Sequence, residues 1–236
     1  MKRTAIILAG GMGTRLREVV KELPKPMADV NGKPFLNYLF DYLHYYKTEQ
    51  IILSTGHLAE KISEHFGSSY KGVEILYSHE ESPMGTGGGI RLAMEKSTNE
   101  TILVLNGDSF FDVDLNSFYE KHSDANAKAS IALRKVKDAG RYGSVEIDSK
   151  NNLRHFNEKK EGQSQGLINA GVYLLDRNYF FENTPKAAAF SIEKDFFGKV
   201  NGSPEVFAFE YAGYFIDIGI PDDYLKAQHE FKKFKY

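Results

Sequence analysis

Leu8-Ala9-Gly10-Gly11-Met12-Gly13-Thr14-Arg15-Leu16-Arg17, closed by Pro24-Lys25-Pro26, is the stretch on which the reading of this chain turns. Ahead of it, Thr4-Ala5-Ile6-Ile7-Leu8 is a short apolar, partly β-branched run that predicts a buried strand. Three glycines in four positions then allow a sharp turn and a close backbone approach. Their N–H groups can point into one concavity that suits an anion, phosphate above all. Arg15 adds a planar fork and Lys25 a point charge, which can hold different oxygens of a polyphosphate. A dinucleotide fingerprint would open straight into a helix, whereas Pro24 and Pro26 disfavour helix at the residues before them. No Gly-Lys-Ser/Thr follows the glycines, so the stretch is not a P-loop either.

Strand and helix alternate outward from this loop. Helical spacing covers Pro34 to Tyr46, Leu58 to Phe66 and Ile90 to Glu95, and apolar strands cover Ile51–Thr55, Val73–Tyr77 and Thr101–Leu105. The alternation predicts an α/β fold with a doubly wound, mostly parallel, Rossmann-like sheet and helices on both faces. Such a sheet binds ligands at the carboxyl ends of its strands. The glycine loop, Gly85–Gly89 and Gly107-Asp108 are therefore expected to line one crevice. From Ala129 the rhythm changes. Ser130–Val136, Ser144–Ile147, Leu153–Glu158, Ile168–Leu175 and Val206–Phe209 read as strands of a mixed or antiparallel extension, with helices at Ile192–Lys199 and Asp222–Phe234. No Pro/Ser/Gly linker divides the chain, so residues 1–236 are read as one domain with halves at about 1–128 and 129–236.

Composition narrows the class. Hydrophobic residues make up 42% and charged ones 26% of 236 residues, enough for a sizeable core. A net charge of −2 argues against a general nucleic-acid surface. The absence of cysteine excludes disulfides and thiolate sites. With no signal peptide and no run near the roughly 20 apolar residues of a membrane span, a cytoplasmic enzyme is expected.

Three further segments can carry chemistry. Asp108 follows an apolar strand and Asp217 lies inside Phe215-Ile216-Asp217-Ile218-Gly219. A carboxylate in such a setting is costly unless it pairs or binds a cation, and two of them suit Mg²⁺. Asp112 and Asp114 read instead as turn and helix-cap residues. Glu158-Lys159 is either a solvated pair or a site element. In Asn169-Ala170-Gly171 the glycine implies close approach of a ligand or a second backbone, or a plain bulge. The seven histidines show no helical pair at metal-ligand spacing, and His57, His79 and His155 read as structural or solvated.

Taken in order, these motifs resemble the sugar-1-phosphate nucleotidyltransferase family from Leu8 to Gly219. The resemblance implies that Leu8, Ala9, Gly10, Gly11, Gly13 and Thr14, with Gly85 and Thr86, hold a nucleoside triphosphate. Arg15 would grip the triphosphate and Lys25 would neutralise charge at the reacting centre. Asp108 and Asp217 would bind Mg²⁺, Asp108 thereby serving catalysis. Gly143, Glu158, Lys159, Asn169 and Gly171 would hold the sugar phosphate. Residues 1–128 become the nucleotide-binding half and 129–236 the sugar-phosphate-binding half. A carboxylate at Glu80, three residues before Pro83, only accepts hydrogen bonds, and guanine offers two adjacent donors. GTP is therefore favoured, with Glu81 as a substitute if the register differs by one and a solvated Glu80 as the plain alternative. His79-Glu80-Glu81 is similar to the mannose 1-phosphate guanylyltransferase branch. The chain length and Met84-Gly85-Thr86-Gly87-Gly88-Gly89 resemble the heptose 1-phosphate branch, which supplies GDP-heptose for capsule or lipopolysaccharide. A uridylyl- or cytidylyltransferase and a catalytically inactive nucleotide-binding subunit remain as alternatives. Ile220 departs from the Thr of many relatives. Phe180-Phe181 and Phe196-Phe197 are candidates for core or for a homodimer interface.

Overall fold

The computed structural model describes residues 3–11, 23–140, 142–157, 165–234 and 236. Its central sheet is built from runs whose alternate residues enter opposite cores. In β1 (Thr4–Leu8) Ala5 and Ile7 pack into one apolar cluster and Ile6 into the other. The same division recurs in β2 (Gln50–Thr55), where Ile51 and Leu53 oppose Ile52. It recurs again in β4 (Thr101–Asn106), where Leu103 and Leu105 oppose Ile102 and Val104. With both faces covered, these strands read as continuous apolar runs rather than alternating ones.

Helix α1 (Phe35–Tyr45) covers one face through Phe35, Leu36, Leu39, Phe40 and Leu43. It starts one residue later than predicted because Pro34 is extended and takes the N-cap. Helix α2 (Ala59–Phe66) begins after Leu58, whose φ of 60° is left-handed. Strand β3 (Val73–His79) then leads to helix α3 (Gly85–Met94) on the other face. This helix corrects the sequence reading, because it starts at Gly85 and takes in the whole glycine segment. The cause is packing: a Cβ at Gly87 would lie 2.1 Å from the Phe190 ring, and one at Gly88 2.8 Å from Met84.

Strands β1, β2, β3 and β4 are mutually parallel in the order β3-β2-β1-β4. A short strand β5 (Ser109–Phe111) and helix α4 (Leu115–Asp124) follow. Asp114 caps α4 by accepting from Asn116 N and Ser117 N, as its sequence position predicts. The second half continues the sheet rather than hanging from it. Beyond β6 (Ala129–Val136), β7 (Ser144–Ile147) and β8 (Leu153–Asn157), strand β9 (Gly166–Asp176) pairs antiparallel with β4 from Val172 opposite Leu105 to Asp176 opposite Thr101. Strand β6 pairs with β9 and with β10 (Val206–Tyr211), so ten described strands form one sheet.

Helix α5 (Arg177–Glu182) follows β9. The helix predicted at Ile192–Lys199 is a π-helix over Ile192–Phe197 followed by one α-turn at Gly198–Val200. Strand β11 (Phe215–Asp217) pairs with β5, and helix α6 (Pro221–Glu230) passes into a 3-10 turn at Phe231–Lys233, where a single helix was predicted. Phe180, Phe196 and Phe197 are fully buried and belong to the core, which removes them as an interface.

Candidate active site

The parallel order changes direction between β1 and β4, and ligands of open α/β sheets sit at such a point, beyond the strands' carboxyl ends. Two cavities lie there. The larger, about 680 Å³, is lined by residues that follow β1 (Gly10, Gly11), β2 (Gly56, His57) and β3 (Glu80, Glu81), and by Gly85 and Thr86 at the start of α3. The smaller, about 380 Å³, is lined by Asn106, Asp108, Gly143, Asn169, Glu193 and Asp217 among others. Both volumes suit small-molecule ligands. The single crevice predicted from the sequence is thus two adjoining ones.

Close backbone contacts set the seam between them. Gly107 N donates to Leu8 O at 2.9 Å, and a Cβ on Gly107 would sit 2.5 Å from that oxygen. Only glycine therefore lets the chain leaving β4 lie this close to the end of β1 and deliver Asp108. From the other side, β11 brings Asp217, whose Oδ1 accepts from Gly219 N at 2.7 Å. Lys25 Nζ lies between the two carboxylates, 2.6 Å from Asp108 Oδ2 and 3.7 Å from Asp217 Oδ1. A Cβ at Gly219 would come within 2.6 Å of that ammonium, so the glycine leaves Lys25 room in this position. Lys25 itself is delivered by the 3-10 turn Lys25–Met27, held by Met27 N donating to Pro24 O. Two carboxylates converging on one cationic point make a donor set that fits a hard divalent cation. Among the described residues no third Asp, Glu, His or Cys joins them, so water and substrate oxygens would fill the rest of the shell.

A family model described as nucleotidyl transferase matches residues 4–233. The chain belongs to the nucleotidyl transferase family. Over 98% of its length this nucleotidyl transferase is 46% identical to a D-glycero-alpha-D-manno-heptose 1-phosphate guanylyltransferase from Aneurinibacillus thermoaerophilus, 99% of which is covered. It is 41% identical to the protein of that name from Campylobacter jejuni, over 93% of this chain and 96% of the relative. A crystal structure of HddC from Yersinia pseudotuberculosis complexed with GMP-PN superposes with a TM-score of 0.85 at 38% identity, covering 97% of this chain and 99% of that one.

In this nucleotidyl transferase Gly10, Gly11, Glu80, Gly85 and Thr86 meet in the larger cavity with Leu8, while Asp108, Gly143, Asn169 and Asp217 meet in the smaller. Ala9 is buried, its N–H bonded to Ser54 O. Gly13, Thr14, Arg15, Glu158 and Lys159 lie outside the described residues.

Several of these groups are already engaged within the protein. Glu80 is half-buried rather than solvated, accepting from Ser54 Oγ at 3.0 Å and from Met84 N at 2.9 Å. The N–H groups of Gly87 and Gly88 both donate to Phe190 O, so the first turn of α3 is capped from within. The Thr86 hydroxyl donates to Glu193 and accepts from Ile192 N. At Asn169 the bulge reading holds: the β6–β9 register shifts between Asn169 and Tyr173. Asn169 Oδ1 accepts from Gly171 N and its Nδ2 donates to Tyr173 Oη. Gly171, at φ 75°, is required by the Asn106 side chain, which its Cβ would meet at 2.5 Å.

Sequence reasoning missed Asn106 and Glu193. Asn106 was findable at the carboxyl end of β4, and its buried Oδ1 has no hydrogen-bond partner among the described residues. Glu193 carries no local signal. His57, His79 and His155 are exposed.

Proposed function

We propose that this chain transfers GMP from GTP to D-glycero-α-D-manno-heptose 1-phosphate, giving GDP-heptose and pyrophosphate. The observation that carries the reading is near-full-length identity to two heptose 1-phosphate guanylyltransferases. Two cavities at the strands' carboxyl ends support it, the smaller of them lined by Asp108 and Asp217, whose carboxylates flank Lys25. GTP occupies the larger cavity, where the Glu80 carboxylate still has a lone pair on each oxygen for the adjacent N1–H and N2–H of guanine. The sugar 1-phosphate occupies the smaller. One of its phosphate oxygens, already ionised near neutral pH, attacks the α-phosphorus in line, and pyrophosphate leaves. No general base is required; the obstacle is bringing two polyanions together.

Lys25, and by the family resemblance Arg15 and Lys159, lower that repulsion, while the two cavities fix the approach. Asp108 and Asp217 would hold Mg²⁺. When bound, it supplies positive charge to the phosphate oxygens as the transferred group develops charge. The product would feed capsule or lipopolysaccharide synthesis, and a cytoplasmic location fits a nucleotide substrate. No helix among the described residues is long and apolar enough to cross a membrane.

The experiment is pyrophosphate release with Mg²⁺, crossing GTP, UTP, dTTP, CTP and ATP against heptose, mannose and glucose 1-phosphates. Turnover confined to GTP with the heptose is expected. Preference for mannose 1-phosphate would move the chain to that branch, and preference for UTP or CTP would overturn the role of Glu80.

A further inference from the structure

We propose that Glu193 is a specificity-determining residue of the smaller cavity, its Oε1 accepting hydroxyl hydrogens of the sugar while Thr86 and Ser191 hold Oε2. The proposal rests on reading that cavity as the sugar site. Glu193 lines it together with Asp108 and Asp217 and is half-buried. Its Oε2 accepts from Thr86 Oγ at 2.8 Å and from Ser191 Oγ at 2.6 Å. Its Oε1 has no hydrogen-bond partner among the described residues. The side chain is thus fixed through one oxygen and presents the other.

The backbone beneath is pinned as well. Ser191 N donates to Asp195 Oδ2 at 2.8 Å and Lys194 N donates to Ser191 Oγ at 3.2 Å, closing the first turn of the π-helix. Widened turns of this kind recur at functional sites. Phe197 of the same helix stacks on Phe156, another residue lining the cavity, with centroids 6.0 Å apart.

A ligand that displaces water from Oε1 must supply donors in its place. A sugar 1-phosphate supplies them only through its hydroxyls, because its phosphate is an anion that Glu193 repels and Lys25 attracts. The two side chains therefore orient the sugar, hydroxyls toward the π-helix and phosphate toward the Lys25–Asp108 junction. Thr86 reaches Glu193 from the start of α3, which borders the larger cavity, so it is a positioning residue that links the two.

The test is steady-state kinetics on the full chain with GTP and D-glycero-α-D-manno-heptose 1-phosphate varied independently, alongside thermal unfolding. Glu193→Gln is expected to raise KM for the sugar phosphate at least tenfold, with KM for GTP within twofold and an unchanged Tm. Thr86→Val is expected to raise KM for the sugar phosphate, and Thr86→Ser, which keeps the hydroxyl, to restore it. A sugar-phosphate KM that stays within twofold in Glu193→Gln, or both KM values rising together, would overturn the assignment. Should Glu193→Gln fail to fold, Thr86→Val decides through the ratio of the two KM values, and a sugar-phosphate KM that rises no more than the GTP KM would overturn the assignment. Wild-type turnover separates the two levels. Its absence for every pair of substrates removes the function and the proposal together, whereas normal wild-type turnover with an unmoved Glu193→Gln removes the proposal alone.

Discussion

At the scale of single residues, the junction and the buried histidine make separable predictions. Asp108 is 37% exposed and paired with Lys25, so the pair adds at most about 1 kcal/mol to stability. Asp108→Asn should therefore leave Tm nearly unchanged while lowering kcat by about 100-fold or more, the order expected when charge organisation at a reacting centre is lost. Unchanged turnover would remove Asp108 from the cation site. His122 lies in α4 with Nδ1 2.8 Å from Ser130 Oγ, and burial pushes its pKa down to about 4. Above pH 6.5 the ring is neutral in folded and unfolded chains alike. As pH falls toward 4 the unfolded chain takes up the proton first, so stability drops by about 3 kcal/mol across that window. Denaturant titrations at pH 7 and pH 5 should show this slope in the wild type and lose it in His122→Gln. Equal slopes would place the acid sensitivity elsewhere.

At the scale of elements, α3 shows how a glycine run becomes helix. Glycine is a poor helix residue, costing about 1 kcal/mol against alanine in an exposed interior. Here the surroundings exclude anything larger: a Cβ at Gly87 meets Phe190, and one at Gly89 comes within 2.7 Å of Glu80 Oε1. Phe190 has little room to retreat, because its ring is buried in the core and its backbone is held by its N–H donating to Met84 O and its carbonyl accepting from Gly87 N. Gly87→Ala should therefore lower stability by about 1–3 kcal/mol despite its better propensity, read as a Tm lower by several degrees. A raised Tm would show that the Phe190 ring yields freely. At the start of the same helix Met84 N donates to Glu80 and the Thr86 hydroxyl to Glu193, so one helix end holds a side chain of each cavity.

At the scale of the whole molecule, the two halves are cross-braced. Strand β9 lies between β4 and β6 and pairs with both, and the smaller cavity takes Asn106 and Asp108 from the first half and Asn169, Glu193 and Asp217 from the second. One cooperative unfolding transition is expected, with near- and far-ultraviolet dichroism coincident in urea. A fragment ending at Lys128 would expose β4 as a bare apolar edge and should fail to fold. Two separated transitions would instead make the halves independent domains.

The sequence by itself determined the parallel core, through apolar runs at fixed intervals. It also determined the loop ends that carry Gly10, Gly11, Glu80 and Asp108, and it singled out Asp108 and Asp217 as carboxylates in need of a partner, which the structure brings to the same ammonium, Lys25. Tertiary structure alone decided what each polar group actually touches. Asn169 spends its amide on Tyr173 and Gly171, Thr86 meets Glu193 across 107 residues, and the Gly87 and Gly88 N–H groups are taken by Phe190. Periodicity reports which face of an element is buried; it carries no information about which distant side chain arrives there to share a hydrogen bond.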